Sequence, residues 1–281
     1  LRRHETTSTT TVAQKRLVVR RALDIEFLAD IVLTAALPPL ANPETTIIEL
    51  RGNGHTLDGH DHGPILSIGP DTSVTVERLT LTGGVTPGAD GCGGAAFVAG
   101  LLSLRDSVVS GNSAARGGGL CVIGQDEYAD LILNDSVVTG NTAQLGGGGI
   151  FALAEGGATV ILGIYDSTLS RNRAIAANAP EGRDCWQPIS SDGYNLDGVT
   201  SCDFFHVDDD RPGGRADLLP LALNSPGATA THALGPDSEA RDRVPPEEGL
   251  CGPLETDQRG VTRPQPIGGG CDIGAYEASD E

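Results

Sequence analysis

A motif of seven residues recurs in the middle of the chain and constrains the fold more than any other feature. It reads Asp-Ser-Val-Val-Ser-Gly-Asn at 106–112, Asp-Ser-Val-Val-Thr-Gly-Asn at 135–141 and Asp-Ser-Thr-Leu-Ser-Arg-Asn at 166–172, and a degenerate copy lies at 78–84. The copies start at residues 78, 106, 135 and 166, so their offsets are 28, 29 and 31 residues. A unit of this length is too short to bury a hydrophobic face alone, so we expect the copies to stack.

Apolar residues keep the same offsets as the motif and form three rows. The first two rows lie two residues apart, which is the period of a strand whose alternate side chains point inward. The rows are Val74, Leu102, Leu131 and Leu162; Val76, Leu104, Leu133 and Ile164; and Leu81, Val109, Val138 and Leu169. We therefore predict an all-β fold, a right-handed parallel β-helix (a solenoid) with a short N-terminal capping helix and a loop-rich, disulfide-bonded C-terminal segment.

Two further features of each repeat have structural interpretations. The Gly-rich segments at 117–119 and 146–149 are predicted to be tight turns, because no Gly-Lys-Ser/Thr of a phosphate-binding loop follows them. The Asn residues that end the motif are predicted to occupy equivalent turns, where stacked Asn side chains hydrogen-bond to one another. This turn ladder consists of Asn112, Asn141 and Asn172.

The chain divides into four segments by composition. Residues 1–15 form a Thr-rich, β-prone tail, and residues 16–28 carry the apolar stripe of an amphipathic helix. We expect this helix to cap the solenoid, since an open end exposes unpaired strand edges. Residues 29–179 hold the coils. Residues 180–281 lose the repeat and are expected to form a C-terminal coil and capping segment over the last coil.

The charge balance excludes one class of partner. The chain has 38 acidic and 19 basic residues, a net charge of −19, whereas binding to phosphate backbones requires a basic surface. We therefore expect no nucleic-acid partner. No apolar run approaches the roughly 20 residues of a membrane-spanning helix, so no membrane span is expected in this chain.

Six cysteines predict three disulfides. Cys185 and Cys202 lie 17 residues apart, Cys251 and Cys271 lie 20 apart, and neither spacing is that of a zinc site. Two local disulfides are the economical interpretation, and Cys92 and Cys121 then pair by elimination. Disulfides persist in oxidising compartments, so the expected location is extracellular or the cell surface.

The C-terminal part of the chain resembles a known family. The residues that carry the resemblance are Gly193-Tyr194-Asn195-Leu196, Thr231-His232-Ala233-Leu234, Asp257-Gln258-Arg259-Gly260-Val261, Arg263-Pro264 and Cys271-Asp272-Ile273-Gly274-Ala275-Tyr276-Glu277. They are similar to those of choice-of-anchor Q domain proteins, which are bacterial surface and secreted β-helix proteins, and the resemblance covers roughly residues 16–277. It implies export and the pairs Cys185–Cys202 and Cys251–Cys271, and it implies no reaction.

An enzymatic alternative rests on one acidic cluster. Many β-helix proteins cleave polysaccharides, and a glycoside hydrolase needs paired carboxylates about 5–9.5 Å apart. Asp208, Asp209 and Asp210 are the densest set and the candidate catalytic residues of a lyase or hydrolase acting on an acidic glycan. The Gly-His-Gly and Arg-Ile-Lys patterns of polygalacturonases are missing, and the only lysine, Lys15, is poorly placed for a lyase base. The interpretation therefore leans against an enzyme.

Two clusters are candidate metal sites. Asp208, Asp210 and Asp217 offer the hard oxygen ligands that Ca²⁺ prefers, although a solvated acidic loop is the favoured interpretation because no EF-hand or nonapeptide Asp pattern is present. His55, His60 and His62 offer nitrogen ligands, but their spacing is not that of two histidines on one helical face. Ca²⁺ is the candidate cofactor.

The N-terminal tail offers a route to self-assembly. Thr9, Thr10, Thr11 and Val12 alternate between two faces of an extended segment. Such a strand either adds to a neighbouring subunit, which gives a filament if the contact does not close, or folds back on its own β-helix. The predicted function is that of an exported, non-catalytic structural or adhesive protein whose partners are copies of itself or a surface glycan.

Overall fold

A computed structural model describes residues 2–8, 20–41, 45–125, 128–175, 184–186, 189–203, 209–227, 230–246, 251–252 and 255–279. These residues form strands, turns and loops and contain no helix. The all-β prediction and the parallel β-solenoid are confirmed, because almost all strand pairs along the stack are parallel and in register.

Most of the strands are short, as the repeat of about 30 residues predicts. They are β1 (Arg2–Ser8), β2 (Arg20–Glu26), β3 (Ile31–Val32), β4 (Thr45–Asp58), β5 (Leu66–Ile68), β6 (Ser73–Thr82), β7 (Val85–Thr86), β8 (Ala96–Val98), β9 (Leu101–Arg105), β10 (Val108–Ser110), β11 (Ser113–Arg116), β12 (Leu120–Gln125), β13 (Tyr128–Asn134), β14 (Val137–Thr139), β15 (Thr142–Gly146), β16 (Ile150–Glu155), β17 (Thr159–Tyr165), β18 (Thr168–Ser170), β19 (Arg173–Ala174), β20 (Ser190–Ser191), β21 (Leu196–Asp197), β22 (Arg211–Pro212), β23 (Ala222–Leu223) and β24 (Ala230–Thr231).

Each full coil contributes one strand to each wall of the solenoid. One coil consists of β9, β10, β11 and β12, and the next consists of β13, β14, β15 and β16. Strand β6 bends round a corner and pairs with both β9 and β10, so two walls belong to one long sheet. The other walls are the four-stranded sheets β7-β11-β15-β19 and β5-β8-β12-β16.

The three apolar rows are stacked as the offsets predict. Val74, Leu102, Leu131 and Leu162 are direct partners on adjacent strands, and the other two rows follow the same register. Their side chains fill the centre of the solenoid, where Leu133 is fully buried. Burial of an aliphatic side chain stabilises the fold by about 2 kcal/mol, so the stacked interior is the main source of stability.

The motif's first residue sits in a left-handed corner. Asp106, Asp135 and Asp166 have φ near 46°, and Arg78 is at the equivalent place in the degenerate copy. Asp tolerates this conformation better than most residues, which explains its place in the repeat. The motif's Ser then bonds to the coil below, since the hydroxyls of Ser107, Ser136 and Ser167 accept from the backbone N–H of Leu79, Ser107 and Ser136.

The motif's last residue forms a second ladder inside the next corner. The Asn141 carboxamide oxygen accepts from both the backbone N–H and the side-chain amide of Asn112, at 3.0 and 2.9 Å. Asn172 does the same for Asn141, and Asp184 does so for Asn172. Because these amides are buried, each hydrogen bond avoids the cost of an unsatisfied polar group.

The N-terminal end differs from the prediction. The capping helix predicted for residues 16–28 is wrong over Arg20–Glu26, which form strand β2, and residues 16–19 lie outside the described residues. Strand β2 pairs in parallel with β4, and Leu23 and Ile25 pack against the core. These two residues alternate with polar neighbours, so the period of two prevails over the helical stripe once β4 offers a parallel partner.

Strand β1 folds back on its own chain. Arg2–Ser8 pair antiparallel with β2, so this part of the tail has a partner within the molecule. The assembly residues Thr9, Thr10, Thr11 and Val12 lie outside the described residues.

Three disulfides clamp the fold and join the pairs expected from the sequence. Cys92–Cys121 links adjacent coils, Cys185–Cys202 closes the last coil, and Cys251–Cys271 lies in the C-terminal segment. Three disulfides indicate an oxidising environment.

The C-terminal segment covers the side of the solenoid. Strands β20, β21 and β22 stack on the last coil, as expected of a capping segment. Residues beyond them run back along the wall that contains β10, β14 and β18, and Gln258 reaches the Thr80 hydroxyl of β6. Only part of the segment therefore lies over the last coil.

Candidate functional site

The outward face of the long sheet presents a straight row of polar and charged side chains, here called the outer row. It consists of Arg51, Glu77, Arg105, Asn134 and Tyr165, each the direct partner of the next on adjacent strands. Four strand spacings span about 19 Å, so the row runs along the solenoid axis. The alternation that buries Leu104 and Leu133 is what turns these side chains outward.

The backbone beneath three members of the row is fixed by hydrogen bonds. The hydroxyls of Ser107, Ser136 and Ser167 donate to the carbonyls of Arg105, Asn134 and Tyr165 at 2.7, 2.7 and 2.8 Å. Since the next residue in the chain is a corner Asp in the left-handed region, the row is mounted on a rigid edge.

A pocket of about 300 Å³ lies at one end of the row. It is lined by Glu49, Leu50, Arg51, Thr75, Glu77, Ser103 and Arg105. The lining mixes two cations, two carboxylates and two hydroxyls, so it can accept and donate hydrogen bonds within one small volume.

The two arginines of the pocket differ in their partners. The Arg51 guanidinium lies 3.0 Å from Glu49 and 3.2 Å from Asp24. The hydrogen bond that Arg51 donates to Glu49, followed by the charge of Asp24, raises the pKa of Arg51. Among the described residues, no side chain lies within ion-pair distance of the Arg105 guanidinium, and Arg105 is exposed. Arg105 is therefore the cation of this face that is available to an anionic ligand.

The same face becomes less charged toward the C-terminal coils. Tyr128 and Ile161 are 51% and 41% exposed. Asp130 lies between Leu101 and Ile161 in the register, and burial raises the pKa of its carboxyl, which hydrogen-bonds with Tyr128. The face thus passes from a charged pocket to an aromatic and apolar end.

A second outward cluster has a packing role. Phe97, Cys121 and Phe151 are in register on β8, β12 and β16, and Cys121 is bonded to Cys92. The Phe151 and Trp186 rings lie 5.8 Å apart. This contact extends over the last coil, so Trp186 is explained by packing beside Cys185.

The C-terminal part of the residues that carry the resemblance, from Asp257 to Glu277, lies in a buried ionic latch. This C-terminal latch, residues 255–279, packs Arg263 against the row of corner aspartates that contains Asp135. The Arg263 guanidinium donates to Asp135 at 2.6 Å and lies 3.9 Å from Glu277. The Arg263 side chain is 1% exposed. Gly274 has φ of 101° and a Cβ there would approach Val137, so the latch crosses β14 where only glycine fits.

Burial raises the pKa of most carboxyls around Arg263. The pKa rises to about 8 at Asp106, about 6 at Asp135, about 6 at Asp272 and about 7 at Glu277, with desolvation as the largest cause in each case. The charge of Arg263 opposes the shift in all four, and the charge of Arg105 also opposes it at Asp106 and Asp135.

The described acidic residues of the enzymatic and calcium alternatives, Asp209, Asp210 and Asp217, have separate surroundings. Asp208 lies outside the described residues and Asp209 is exposed. Asp210 is buried and accepts from the Asn195 N–H at 2.8 Å, and the Asn195 side-chain oxygen accepts from the Ser167 N–H at 2.8 Å. Asp210 is therefore the last member of the column of corner hydrogen bonds that begins with Ser107, Ser136 and Ser167, here called the Ser ladder. Asp217 caps a turn through the N–H of Asp237. Asp210 and Asp217 thus have structural partners.

The three histidines have different surroundings. His55 lies 3.2 Å from Asp30, His60 is exposed with φ of 45°, and His62 is half-buried. Within the ranges that the structure describes, no three His, Cys, Asp or Glu side chains are arranged to hold a metal ion.

Sequence reasoning missed the outer row and the latch. The signal for the outer row was present, because Glu77, Arg105, Asn134 and Tyr165 each precede the first residue of a motif copy. The latch gives no such signal, since Arg263 and Asp135 are 128 residues apart.

Comparison with protein-family models, with curated proteins and with solved structures finds no match to this chain. In the described part of the chain, no helix has the length and apolar character needed to cross a membrane.

Proposed function

We propose that this chain is an exported, non-catalytic structural or adhesive protein of the cell surface or extracellular matrix, built as a right-handed parallel β-helix. The observation that carries the proposal is that the interior of the solenoid is rigidly bonded while its outer face presents polar side chains. Two buried ladders, a latch and three disulfides fix the stack, while the outer row leaves charged and polar side chains in a straight line for a partner. A rigid scaffold with a repeating outer face suits adhesion.

The use of the acidic residues supports a structural role over a catalytic one. Asp210, one of the three carboxylates of the hydrolase alternative, accepts a backbone hydrogen bond in the Ser ladder, and burial raises its pKa. A carboxylate committed to a corner in this way is poorly placed to face a sugar bond together with exposed Asp209.

Membership of the choice-of-anchor Q group is part of the proposal. It is supported by the place of the resembling residues, since Asp257, Arg259, Arg263, Asp272 and Glu277 all lie in the buried latch. Chains that share these residues can build the same buried ionic cluster, and this would give them the same fold in this segment.

Self-assembly through the tail is the remaining part. Strand β1 pairs with β2 on one edge, and a further strand of another copy would add to its other edge. In this proposal β1 stays paired with β2 and extends the long sheet. Another copy of the chain then adds a strand to the free edge of β1.

The proposal is tested with the purified chain and a panel of surface glycans. Binding is measured by biolayer interferometry, product formation by reducing-sugar and unsaturated-uronate assays, and assembly by sedimentation. We expect binding without turnover and sedimentation of species larger than a monomer at high concentration. Turnover that Asp209→Ala abolishes would overturn the non-catalytic role, and a monomer at every concentration would overturn self-assembly.

A further inference from the structure

We infer that the outer row is a linear glycan-binding site that recognises a uronic acid through Arg105, with neighbouring sugars along Glu77, Asn134 and Tyr165. This inference deepens the proposed adhesive function and rests on it. The occupant is a short stretch of polysaccharide in which carboxylated and neutral sugars alternate.

The shape of the row fits a chain and not a compact ligand. Its members occupy successive strands along the solenoid axis, so their spacing is that of the sheet, about 4.8 Å per step. An extended glycan lying along the axis meets a new side chain at each step. The pocket between Arg51 and Arg105 gives one sugar a deeper position than the others.

The charge pattern selects the chemistry of the ligand. Arg51 is paired with Glu49 and Asp24, whereas the Arg105 guanidinium is exposed and forms no ion pair among the described residues. A guanidinium binds a carboxylate through two parallel hydrogen bonds. Glu77, between the two arginines in the register, can accept from a sugar hydroxyl.

The net charge of the chain limits how acidic the ligand is. With 38 acidic against 19 basic residues, the protein repels a dense polyanion at long range. One available arginine accommodates one carboxylate at a time, so a glycan with well-separated uronates fits better than a continuous polyuronate.

The neutral end of the row suits uncharged sugars. Asn134 is the in-register neighbour of Arg105, and its amide both donates and accepts. Tyr165 follows on the next strand, where a phenol ring offers an apolar surface with a hydroxyl at its end. The Ser-bonded backbone holds all three positions still, which reduces the entropy lost on binding.

The test uses a short oligosaccharide of alternating glucuronic acid and N-acetylglucosamine, and the same oligosaccharide with its carboxyls reduced to alcohols. Affinity is measured by titration calorimetry for the parent, Arg105→Gln and the matched control Arg173→Gln. Arg173 is an exposed arginine on β19, in a different sheet, so the control makes the same charge change elsewhere. Melting curves establish that the variants are folded.

We expect Arg105→Gln to weaken binding of the acidic oligosaccharide about tenfold or more, and Arg173→Gln to change it less than about twofold. Carboxyl reduction should weaken binding to the parent by a similar factor. If Arg105 holds the carboxylate, Arg105→Gln with the reduced oligosaccharide should lose no more affinity than either change alone. This non-additivity identifies the contact between Arg105 and the carboxylate.

Two results would overturn the inference. One is equal binding of the acidic and reduced oligosaccharides by the parent. The other is an Arg105→Gln variant that binds as tightly as the parent, in which case a glycan-binding function stands but its site lies elsewhere. Failure of the parent to bind any glycan of the panel overturns the adhesive function together with this site.

Discussion

At the scale of single residues, five positions of the seven-residue motif have identifiable physical tasks. Asp takes the left-handed corner, Ser accepts an N–H from the coil below, the two apolar residues face inward or toward the C-terminal segment, and Asn joins the buried ladder. In the last coil the ladder ends on an acid, Asp184, in place of an amide. This replacement is the clearest case in which one residue sets the stability of a corner.

Replacing Asp184 by Asn should stabilise the protein above neutral pH. One Asp184 oxygen accepts from the N–H and amide of Asn172, while burial, followed by the charge of Asp197, raises its pKa to about 8. Asn keeps the acceptor and adds an amide that can donate toward Asp197. We expect a gain on the order of 1–2 kcal/mol at about pH 8.5 and little change at about pH 5, where Asp184 is protonated.

Chemical denaturation at the two pH values measures this effect. The matched control is Asp203→Asn, an exposed acid one residue beyond Cys202 that should leave stability unchanged. A variant that loses stability at both pH values would show that Asp184 acts through its charge in this corner.

At the scale of elements, register follows from constant offsets between repeats. Each coil repeats an apolar pattern of period two, so a shift by one residue would expose a whole row, and this is why the stacking of Val76, Leu104 and Leu133 could be predicted. The period of the apolar residues could not distinguish a capping helix from a strand at the N-terminal end. Leu23 and Ile25 fit either period, and only the pairing of β2 with β4 decides between them.

A charge placed inside the stack tests this register. Leu133→Asp buries a carboxylate in the centre of the solenoid, where Leu133 is fully buried, and the cost should exceed several kcal/mol. The matched control is Leu145→Asp, because Leu145 is 44% exposed on β15 of the next wall. We expect the first variant to be unfolded or insoluble and the second to melt within a few degrees of the parent. Equal melting temperatures would mean that Leu133 does not face the interior.

At the scale of the whole molecule, the C-terminal latch connects regions that the sequence keeps far apart. Arg263 meets Asp135, and Gln258 meets Thr80, across separations of 128 and 178 residues. No repeat or local pattern relates these positions, so their contact could not be predicted, although the residues themselves stood out as a signature. The solenoid is thus specified locally, coil by coil, and the latch by long-range complementarity.

The latch gives the whole molecule an unusual pH dependence. In the folded state the pKa is about 8 for Asp106, about 7 for Glu277 and about 6 for Asp135, whereas carboxyls in an unfolded chain titrate near 4. The folded protein therefore binds more protons between about pH 4 and about pH 8, and its stability is greatest at the acidic end of that window and falls as pH rises. We expect a loss of several kcal/mol between about pH 5 and about pH 8.5, measured by urea denaturation. Asp106→Asn, which suits a left-handed corner, should reduce this slope, because it removes the group with the highest pKa near Arg263. The prediction is wrong if stability rises with pH over this range, or if Asp106→Asn leaves the dependence of stability on pH unchanged. Either result would show that these carboxyls are ionised in the folded protein and form ion pairs in the latch.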